Sequence, residues 1–374
     1  MQFIDLKTQQ ERIRPQIDAA IQRVLEHGRY IMGPEVFELE KVLAEFVGVE
    51  HCVSCSSGTD ALLLPLMAYD LGSTDAVFTT PFTFFATPEA IALAGGVPVF
   101  VDIDPDTYNM NSVKLLETIE AVESEGRLTP RGVVPVDLFG VPADYDEIIP
   151  IAKEHGLFVL TDSAQSFGAE YKGRRMPGLG DVGATSFFPA KPLGCYGDGG
   201  AIFTNDSELA GTMRSMRVHG QGEDKYNNVH IGLNGRLDTL QAAILLEKMK
   251  IYPEEIDLRQ KVARMYIERL GAIASLSRIP NIPDDCRSVF AQFCIESDRR
   301  TVIQAALEAA DIPSPIYYAK PMHKLDAMQG VAYSDPAGFP VAEGASERIF
   351  ALPFHPYLSE NDIDRIVEVI ADCG

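Results

Sequence analysis

The chain has 374 residues, of which 46% are hydrophobic and 23% are charged, a balance typical of soluble globular proteins. A chain of this length is expected to form two domains and can bury a sizeable core. Its formal net charge of −22 argues against general binding to nucleic acids or to anionic membrane surfaces.

The apolar segments predict neither a signal peptide nor a membrane span. Residues 1–10 lack a continuous apolar stretch, and glycines and a proline interrupt the apolar run at 91–103. Six cysteines are few for this length, which fits a reducing cytoplasm. Cys52 and Cys55 form a C-x-x-C pair of the redox or zinc type, but no second ligand pair accompanies them, which favours small buried residues.

Short β-rich runs alternate with helical patterns between about residues 50 and 205. Strands are predicted at His51–Cys55, Ala76–Thr80, Pro98–Asp102, Gly132–Val136, Leu157–Asp162, Val182–Phe188 and Ala201–Thr204. Helices are predicted between them, at Thr59–Tyr69, Thr87–Ala94 and Tyr145–His155. Such alternation indicates an α/β fold with a mostly parallel sheet that helices cover on both faces.

Beyond this region the pattern changes to longer helices with few strands. An apolar pattern of helical period predicts one long helix over Leu237–Leu270, with a break near Pro253. A strand at Val289–Ile295 and helices at Arg299–Ala310 and Glu360–Ala371 follow. These elements predict a large domain over residues 1–250 and a smaller α+β domain over residues 251–374.

The segment Ser56-Ser57-Gly58-Thr59-Asp60-Ala61 follows a predicted strand and opens a predicted helix. Free backbone N–H groups, the positive end of a helix and the Thr59 hydroxyl together favour binding of a phosphate. The same residues would equally form an ordinary helix cap.

Lys191 lies between the apolar run at 182–188 and a glycine-rich turn, a context that predicts burial. Burial of an ammonium without a partner lowers its pKa, and a neutral amine attacks carbonyl groups to form Schiff bases. The ordinary alternative is that Lys191 lies at a strand end with its aliphatic chain buried and its ammonium in water.

Asp162 ends a predicted strand and Ser186 lies on the next one, five residues before Lys191. A carboxylate at a strand end serves as a functional acid, a helix cap or a metal ligand. Pyridoxal phosphate requires an acid at its ring nitrogen, a phosphate site and a Schiff-base lysine. The order of these features along the chain indicates a pyridoxal-phosphate site.

Other chemistries fit the sequence less well. Residues 178–183 match G-x-G-x-x-G, but a polar turn precedes them and a predicted strand follows, which excludes the dinucleotide-binding arrangement. The histidines lack paired-ligand spacing, so no metal site is expected. The chain has no G-x-S-x-G elbow of a serine hydrolase.

Several stretches together resemble the DegT/DnrJ/StrS family of pyridoxal-phosphate nucleotide-sugar aminotransferases over essentially the whole chain. They are Gly33-Pro34-Glu35, Gly58-Thr59-Asp60-Ala61, Phe82-Thr83-Phe84, Asp162-Ser163-Ala164-Gln165, the Lys191 run and Asn234-Gly235-Arg236-Leu237-Asp238. Within the family the chain is most similar to aminotransferases of UDP-2-acetamido-2-deoxy-3-oxo-glucuronate, which serve O-antigen assembly. Ser163 stands where the family more commonly has alanine.

The resemblance implies an aspartate-aminotransferase-like fold (fold type I) and a cytoplasmic homodimer with shared active sites. Lys191 would hold pyridoxal 5'-phosphate and transfer protons, with pyridoxamine phosphate as the intermediate form of the cofactor. The remaining cofactor-binding residues implied are Gly58, Thr59, Phe84, Asp162, Gln165, Ser186 and, from the partner subunit, Asn234.

The resemblance also implies a nucleotide-sugar substrate and L-glutamate as the amino donor. Arg236, across the interface, would bind the sugar carboxylate, and Tyr317, Tyr318 and His323 would be further substrate contacts. A different 3- or 4-keto UDP-, TDP- or GDP-sugar is the main alternative substrate. A dehydratase relative would carry histidine in place of Lys191, and a non-catalytic regulatory protein would not require the whole set of cofactor residues.

Overall fold

The structure, a computed structural model, describes residues 1–224, 226–335 and 337–373. The strands are β1 (His51–Cys55), β2 (Asp75–Thr79), β3 (Val97–Phe100), β4 (Thr129–Val133), β5 (Phe158–Asp162), β6 (Glu170–Tyr171), β7 (Arg174–Arg175), β8 (Val182–Ser186), β9 (Gly200–Thr204), β10 (Cys286–Arg287), β11 (Phe293–Glu296) and β12 (Ile349–Leu352).

The α-helices are α1 (Leu6–Arg12), α2 (Arg14–His27), α3 (Pro34–Val47), α4 (Gly58–Ala68), α5 (Ala86–Leu93), α6 (Ser112–Glu125), α7 (Tyr145–Glu154), α8 (Ser207–Met216), α9 (Thr239–Met249), α10 (Tyr252–Leu270), α11 (Arg300–Ala309), α12 (Pro340–Arg348) and α13 (Glu360–Ala371). Short 3-10 helices lie at Leu138–Gly140, Met322–Lys324 and Asp326–Met328. Within the described residues, no helix is both long enough and apolar enough to cross a membrane.

A seven-stranded sheet in the order β1-β9-β8-β5-β4-β2-β3 forms the centre of the chain. Only β9 runs antiparallel to its neighbours β1 and β8, and the other pairings are parallel. This topology confirms the predicted mostly parallel sheet. The carboxyl ends of the parallel strands therefore meet at one edge, where ligands bind in folds of this class.

Alternating side chains of the sheet strands pack against two layers of helices. Phe78, Val159 and Phe203 share one cluster with residues of α3, α6, α7 and α9. Their neighbours Val77 and Leu160 share the opposite cluster with residues of α4, α5 and α8. Because both faces are covered, the central strands are apolar throughout, as expected for a parallel sheet.

The predicted break near Pro253 is present: Lys250 and Ile251 separate α9 from α10. Pro253 itself lies in the first turn of α10, where its missing N–H is not needed. The predicted strand at 289–295 begins only at Phe293. Phe290 has a positive φ of 46°, and the N–H groups of its neighbours Val289 and Ala291 donate to the Gly140 and Phe139 carbonyls instead of to a strand.

The C-terminal elements share a hydrophobic cluster of their own. Residues of α10, α11 and α13 pack there on the β11–β12 pair, with Phe293, Ile303 and Ile366 fully buried. This is the α+β arrangement expected of a smaller unit, while the boundary between residues 250 and 251 stays a prediction.

Cys52 and Cys55 lie inside β1 and are 2% and 0% exposed. Burial raises the pKa of both thiols, which disfavours the reactive thiolate. The expectation of small buried residues is confirmed.

A buried ion pair supports β1, the strand that precedes the predicted phosphate-binding segment at residues 56–61. Glu40 of α3 pairs with Arg217, and the same carboxylate oxygen accepts hydrogen bonds from the Ser54 backbone N–H (2.9 Å) and hydroxyl (2.8 Å). Arg217 in turn donates to the Ser54 carbonyl at 2.7 Å. The Arg217 carbonyl accepts from the Gly235 N–H at 3.0 Å, so this pair joins α3, β1 and the segment around residue 235.

Glu40→Gln is expected to destabilise the protein by about 3 kcal/mol, because it leaves the Arg217 guanidinium buried without a counter-charge. The measurement is the free energy of unfolding from urea denaturation. Glu45→Gln on the same helix is the matched control, since Glu45 pairs with Lys41 only at the surface, and its stability should match that of the wild type. Equal effects of the two substitutions would contradict the prediction.

Candidate active site

The start of α4 lies against the end of β8, at the edge where the parallel strands end. A Cβ on Gly58 would lie 2.6 Å from the Cβ of Ser186, so only glycine allows this approach. A Cβ on Gly200 would lie 2.3 Å from the Ser57 carbonyl oxygen. Ser57 caps the helix by accepting from the Asp60 N–H at 3.0 Å.

The N–H groups of Gly58 and Thr59 form no hydrogen bond within the described part of the chain. They lie in the first turn of α4, where the helix dipole favours an anion. Ser186, which accepts from the Phe188 N–H at 3.2 Å, adds a hydroxyl beside them. The structure therefore brings the three predicted phosphate residues together.

Asp162 ends β5 at the same edge and is only 5% exposed. Thr87 of α5 donates to its Oδ2 at 2.8 Å, and the Ala164 N–H donates to its Oδ1 at 3.2 Å. Burial raises the pKa of the Asp162 carboxyl, whereas these hydrogen bonds and the positive charge of Lys191 oppose the rise. A cation placed against this carboxylate would be favoured for the same reason.

Lys191 is half-buried on the loop after β8, with its N–H donating to the Phe188 carbonyl at 2.8 Å. Among the residues that the structure describes, its ammonium has no hydrogen-bond or ion-pair partner. Burial lowers the pKa of Lys191, and the nearby charge of Asp162 opposes that shift. The neutral amine that nucleophilic attack requires is thus more accessible than in a surface lysine.

The loop that carries Phe84 is tied to Asp162 through two buried threonines. The hydroxyls of Thr83 and Thr87 lie 3.1 Å apart, and since Thr87 donates to Asp162, Thr83 is the donor of that pair. The Thr87 N–H also donates to the Phe84 carbonyl at 3.2 Å. Phe84 itself is 58% exposed, which leaves its ring free to stack on a ligand.

Gln165 is buried and bridges two elements. Its Oε1 accepts from the Phe139 N–H at 2.8 Å, and its Nε2 donates to the Tyr318 hydroxyl at 3.1 Å. Tyr318 also packs edge-on against Phe82. Gln165 and Tyr318 are therefore joined directly, while Tyr317 points its ring towards Phe3, with centroids 6.2 Å apart.

His323 lies against Phe339 and shares a hydrogen bond of 3.1 Å with Glu343. Burial lowers the pKa of its imidazole, and its Nδ1 is buried without a partner. No hydrogen bond or ring contact joins His323 to Lys191, Gln165 or the two tyrosines within the described ranges. The link to the site is through the backbone, where the Met322 N–H donates to the Pro81 carbonyl at 2.8 Å.

Asn234 and Arg236 lie on a segment that touches the start of α4. The Ser56 N–H donates to the Gly235 carbonyl at 3.0 Å, and Arg236 donates to the Asn234 Oδ1 at 2.5 Å. The Asn234 side chain is exposed, and the Nε of Arg236 is buried without a partner. The segment thus presents an amide and a guanidinium at the rim of the site.

The family model of DegT/DnrJ/EryC1/StrS aminotransferases matches residues 11–371. The chain belongs to this family. It is accordingly a pyridoxal-phosphate-dependent sugar aminotransferase, which confirms the predicted enzyme class and cofactor.

Individual relatives agree with this assignment. The UDP-2-acetamido-2-deoxy-3-oxo-D-glucuronate aminotransferase of Pseudomonas aeruginosa is 48% identical over 377 residues, with 100% of both chains covered. A DegT/DnrJ/EryC1/StrS aminotransferase from Brucella abortus has a crystal structure with a TM-score of 0.97 to this chain, at 52% identity over 100% of this chain and 99% of the other. NtdA from Bacillus subtilis, with bound cofactor PMP, has a TM-score of 0.88 at 29% identity, covering 99% of this chain and 83% of the other.

These structures confirm the predicted aspartate-aminotransferase-like fold. The residues at the strand ends also fit the cofactor. Gly58 lets the start of α4 approach Ser186 closely, and the unpaired N–H groups of Gly58 and Thr59 lie in the same turn as potential donors to an anion. A buried carboxylate that accepts only two hydrogen bonds suits a protonated ring nitrogen, and an amine without a partner in the described chain lies near it.

Sequence reasoning missed Thr83 and Thr87, which are each 1% exposed and hold Asp162 and the Phe84 loop. It also missed Asp137, a fully buried carboxylate next to the Asp162 loop. Two signals were available. Thr87 opens a predicted helix at the edge of the sheet, and Asp137 directly follows a predicted strand, as Asp162 ends one.

Thr87→Val is expected to weaken the binding of pyridoxal phosphate by roughly tenfold, because Asp162 loses one of its two hydrogen bonds while burial still opposes its charge. The dissociation constant is measured by equilibrium dialysis. Thr79→Val is the matched control, because Thr79 also donates a buried hydrogen bond, to the Val134 carbonyl, but is not hydrogen-bonded to Asp162 in the described chain. A dissociation constant that changes as much in the control would show that the effect is one of general stability.

Proposed function

We propose that this enzyme transfers the amino group of L-glutamate to UDP-2-acetamido-2-deoxy-3-oxo-glucuronate. The observation that carries the proposal is the full-length identity of 48% to the Pseudomonas aeruginosa enzyme named for that substrate. The residues that the substrate requires are available: the exposed rim of the site carries the guanidinium of Arg236, and a fork-shaped cation suits the carboxylate of a uronic acid.

The cofactor would be held by the side chains gathered at the strand ends. Gly58, Thr59 and Ser186 would bind its phosphate, Asp162 its ring nitrogen and Gln165 its ring hydroxyl, with Phe84 stacked on the ring. When bound, pyridoxal phosphate supplies an electron sink and carries the amino group between the two substrates.

Lys191 would hold the cofactor through Nζ and then act as the proton carrier of the site. Burial keeps this amine neutral more readily than a surface lysine, so Nζ is able to accept a proton. The charge of Asp162 works in the opposite direction and stabilises the protonated amine. Because both forms of Nζ are accessible, the same group can take up and return a proton.

The remaining predicted contacts belong to the substrate side. Tyr318 holds Gln165 and borders the site, and Tyr317 lies next to it with a half-buried ring. His323 would contribute from the segment that joins Pro81, with Glu343 fixing its ring. We place the enzyme in the cytoplasm, in the supply of amino sugars for O-antigen or other cell-surface polysaccharides.

The active sites would be shared between two copies of the chain. Exposed apolar side chains occur on the segments that surround the start of α4: Tyr30, Ile31, Phe188, Val229 and Ile231. Tyr30 and Ile31 pair with the backbone of Thr239 and Asp238, close to the Asn234 segment. Burial of this surface in a homodimer would stabilise the pair and bring Asn234 to the phosphate of the partner.

The protein loaded with pyridoxal phosphate is expected to lose its visible absorbance band on addition of L-glutamate, and to regain it on addition of the UDP-linked 3-oxo-glucuronate. Lys191→Ala should abolish turnover while the protein stays folded, whereas Lys114→Ala, at the surface, should retain it. A band that ignores glutamate would refute the donor. Higher kcat/KM with a TDP- or GDP-linked keto sugar would refute the substrate.

Mixed dimers test the shared site. Lys191→Ala and Asn234→Ala homodimers should each be impaired, because every site lacks one essential group. In a mixed dimer one site has both defects and the other has neither, so reassociation of equal amounts should restore about a quarter of wild-type activity. A mixture no more active than its two components would show that Asn234 serves its own subunit.

A further inference from the structure

Asp137 contacts the loop that follows Asp162 and is 0% exposed. Its carboxylate accepts four hydrogen bonds. On Oδ1 the donors are the Ala143 N–H (2.9 Å) and the Tyr145 hydroxyl (2.7 Å), and on Oδ2 they are the hydroxyls of Ser163 (2.6 Å) and Ser166 (2.7 Å). The two oxygens thus face different parts of the chain.

Oδ2 faces the loop that carries the cofactor residues. Ser163 directly follows Asp162, and Ser166 directly follows Gln165. The backbone next to Asp137 holds the same two residues: the Asp137 N–H donates to the Asp162 carbonyl at 3.0 Å, and the Phe139 N–H donates to the Gln165 side chain at 2.8 Å. Residues 137–139 therefore hydrogen-bond to the 162–166 loop at both Asp162 and Gln165.

The carboxylate is chemically suited to this task. All four groups around it donate, and a carboxylate has acceptor positions for about four donors. An asparagine at this position would place its NH2 group, which only donates, against two of these donors, so two hydrogen bonds would be lost. Hydrogen bonds to a buried charge are also shorter and stronger than those between neutral groups, so the loop is held firmly.

We propose that Asp137 is a positioning residue of the transamination: through Ser163 and Ser166 it fixes the loop that presents Asp162 and Gln165 to the cofactor ring. The inference rests on the roles of Asp162 and Gln165 given under the proposed function. It also gives the Ser163 hydroxyl a specific task.

Three single substitutions separate positioning from general stability. Ser163→Ala and Ser166→Ala each remove one hydrogen bond from Oδ2, on the cofactor side. Tyr145→Phe removes one from Oδ1 of the same carboxylate, where the donor belongs to α7. Each change deletes a single oxygen atom from a buried side chain, so the three variants are matched in chemistry and are expected to fold.

The readouts are the dissociation constant for pyridoxal phosphate, by equilibrium dialysis, and the urea midpoint of the cofactor-free protein. All three variants should lower the urea midpoint. The two serine variants should also weaken cofactor binding about tenfold, by analogy with the loss of a residue that orients a metal-binding side chain. Tyr145→Phe should retain the wild-type dissociation constant. With the keto sugar, the serine variants should lower kcat and leave KM unchanged.

Serine variants that bind pyridoxal phosphate as tightly as the wild type would overturn the inference, and Asp137 would then be a purely structural residue. The same conclusion would follow if Tyr145→Phe weakened binding as much as the serine variants do. If the wild-type protein itself fails to retain pyridoxal phosphate on dialysis, both this inference and the proposed function are overturned. If the wild type binds the cofactor and the serine variants bind it equally well, only this inference fails.

Discussion

The burial of the Asp162 carboxylate is the constraint around which the site is organised. A carboxylate that is 5% exposed is unfavourable unless donors or a cation compensate for lost water. Here Thr87 comes from α5, the Ala164 N–H from the following loop, and the charge of Lys191 from the loop after β8. Three elements must therefore be in place before this charge is tolerated. In the proposed site, the cofactor's protonated ring would add a further partner, so its binding would relieve a cost that the free protein carries.

Close backbone approach is the second requirement. The start of α4 meets β8 and β9 at Gly58 and Gly200, where a side chain would overlap neighbouring atoms. The buried Glu40–Arg217 pair anchors β1, after which α4 begins, and the Arg217 carbonyl also holds Gly235, next to Asn234. Phosphate recognition at the proposed site would thus depend on packing several residues away from any group that touches the phosphate.

The sequence was sufficient to locate the residues at strand ends but not the contacts between them. Lys191, Asp162 and Ser186 were predicted because alternating strands and helices fix which residues reach the edge of a parallel sheet. The bonds of Thr87 to Asp162 and of Gln165 to Tyr318 join residues 75 and 153 positions apart, and no local pattern reports such pairs. Likewise, the predicted strand at 289–295 begins only at Phe293, because Phe290 has a positive φ and tertiary pairing with Phe139 and Gly140 outweighs local β propensity.

Two buried carboxylates at neighbouring strand ends have different roles because their hydrogen-bond capacity is filled to different extents. Asp137 accepts four hydrogen bonds, which occupy its acceptor positions and leave none for a ligand. Burial nevertheless raises the pKa of Asp137 to about 6. Between the ordinary pKa of an aspartate and pH 6, the folded protein holds this proton more tightly than the unfolded chain does, so the stability of the fold decreases as the pH rises through that range. Asp162 accepts only two hydrogen bonds within the described chain, which leaves room for a cation. The number of hydrogen bonds that each carboxylate accepts therefore distinguishes Asp137, proposed to support the loop, from Asp162, proposed to pair with the cofactor ring.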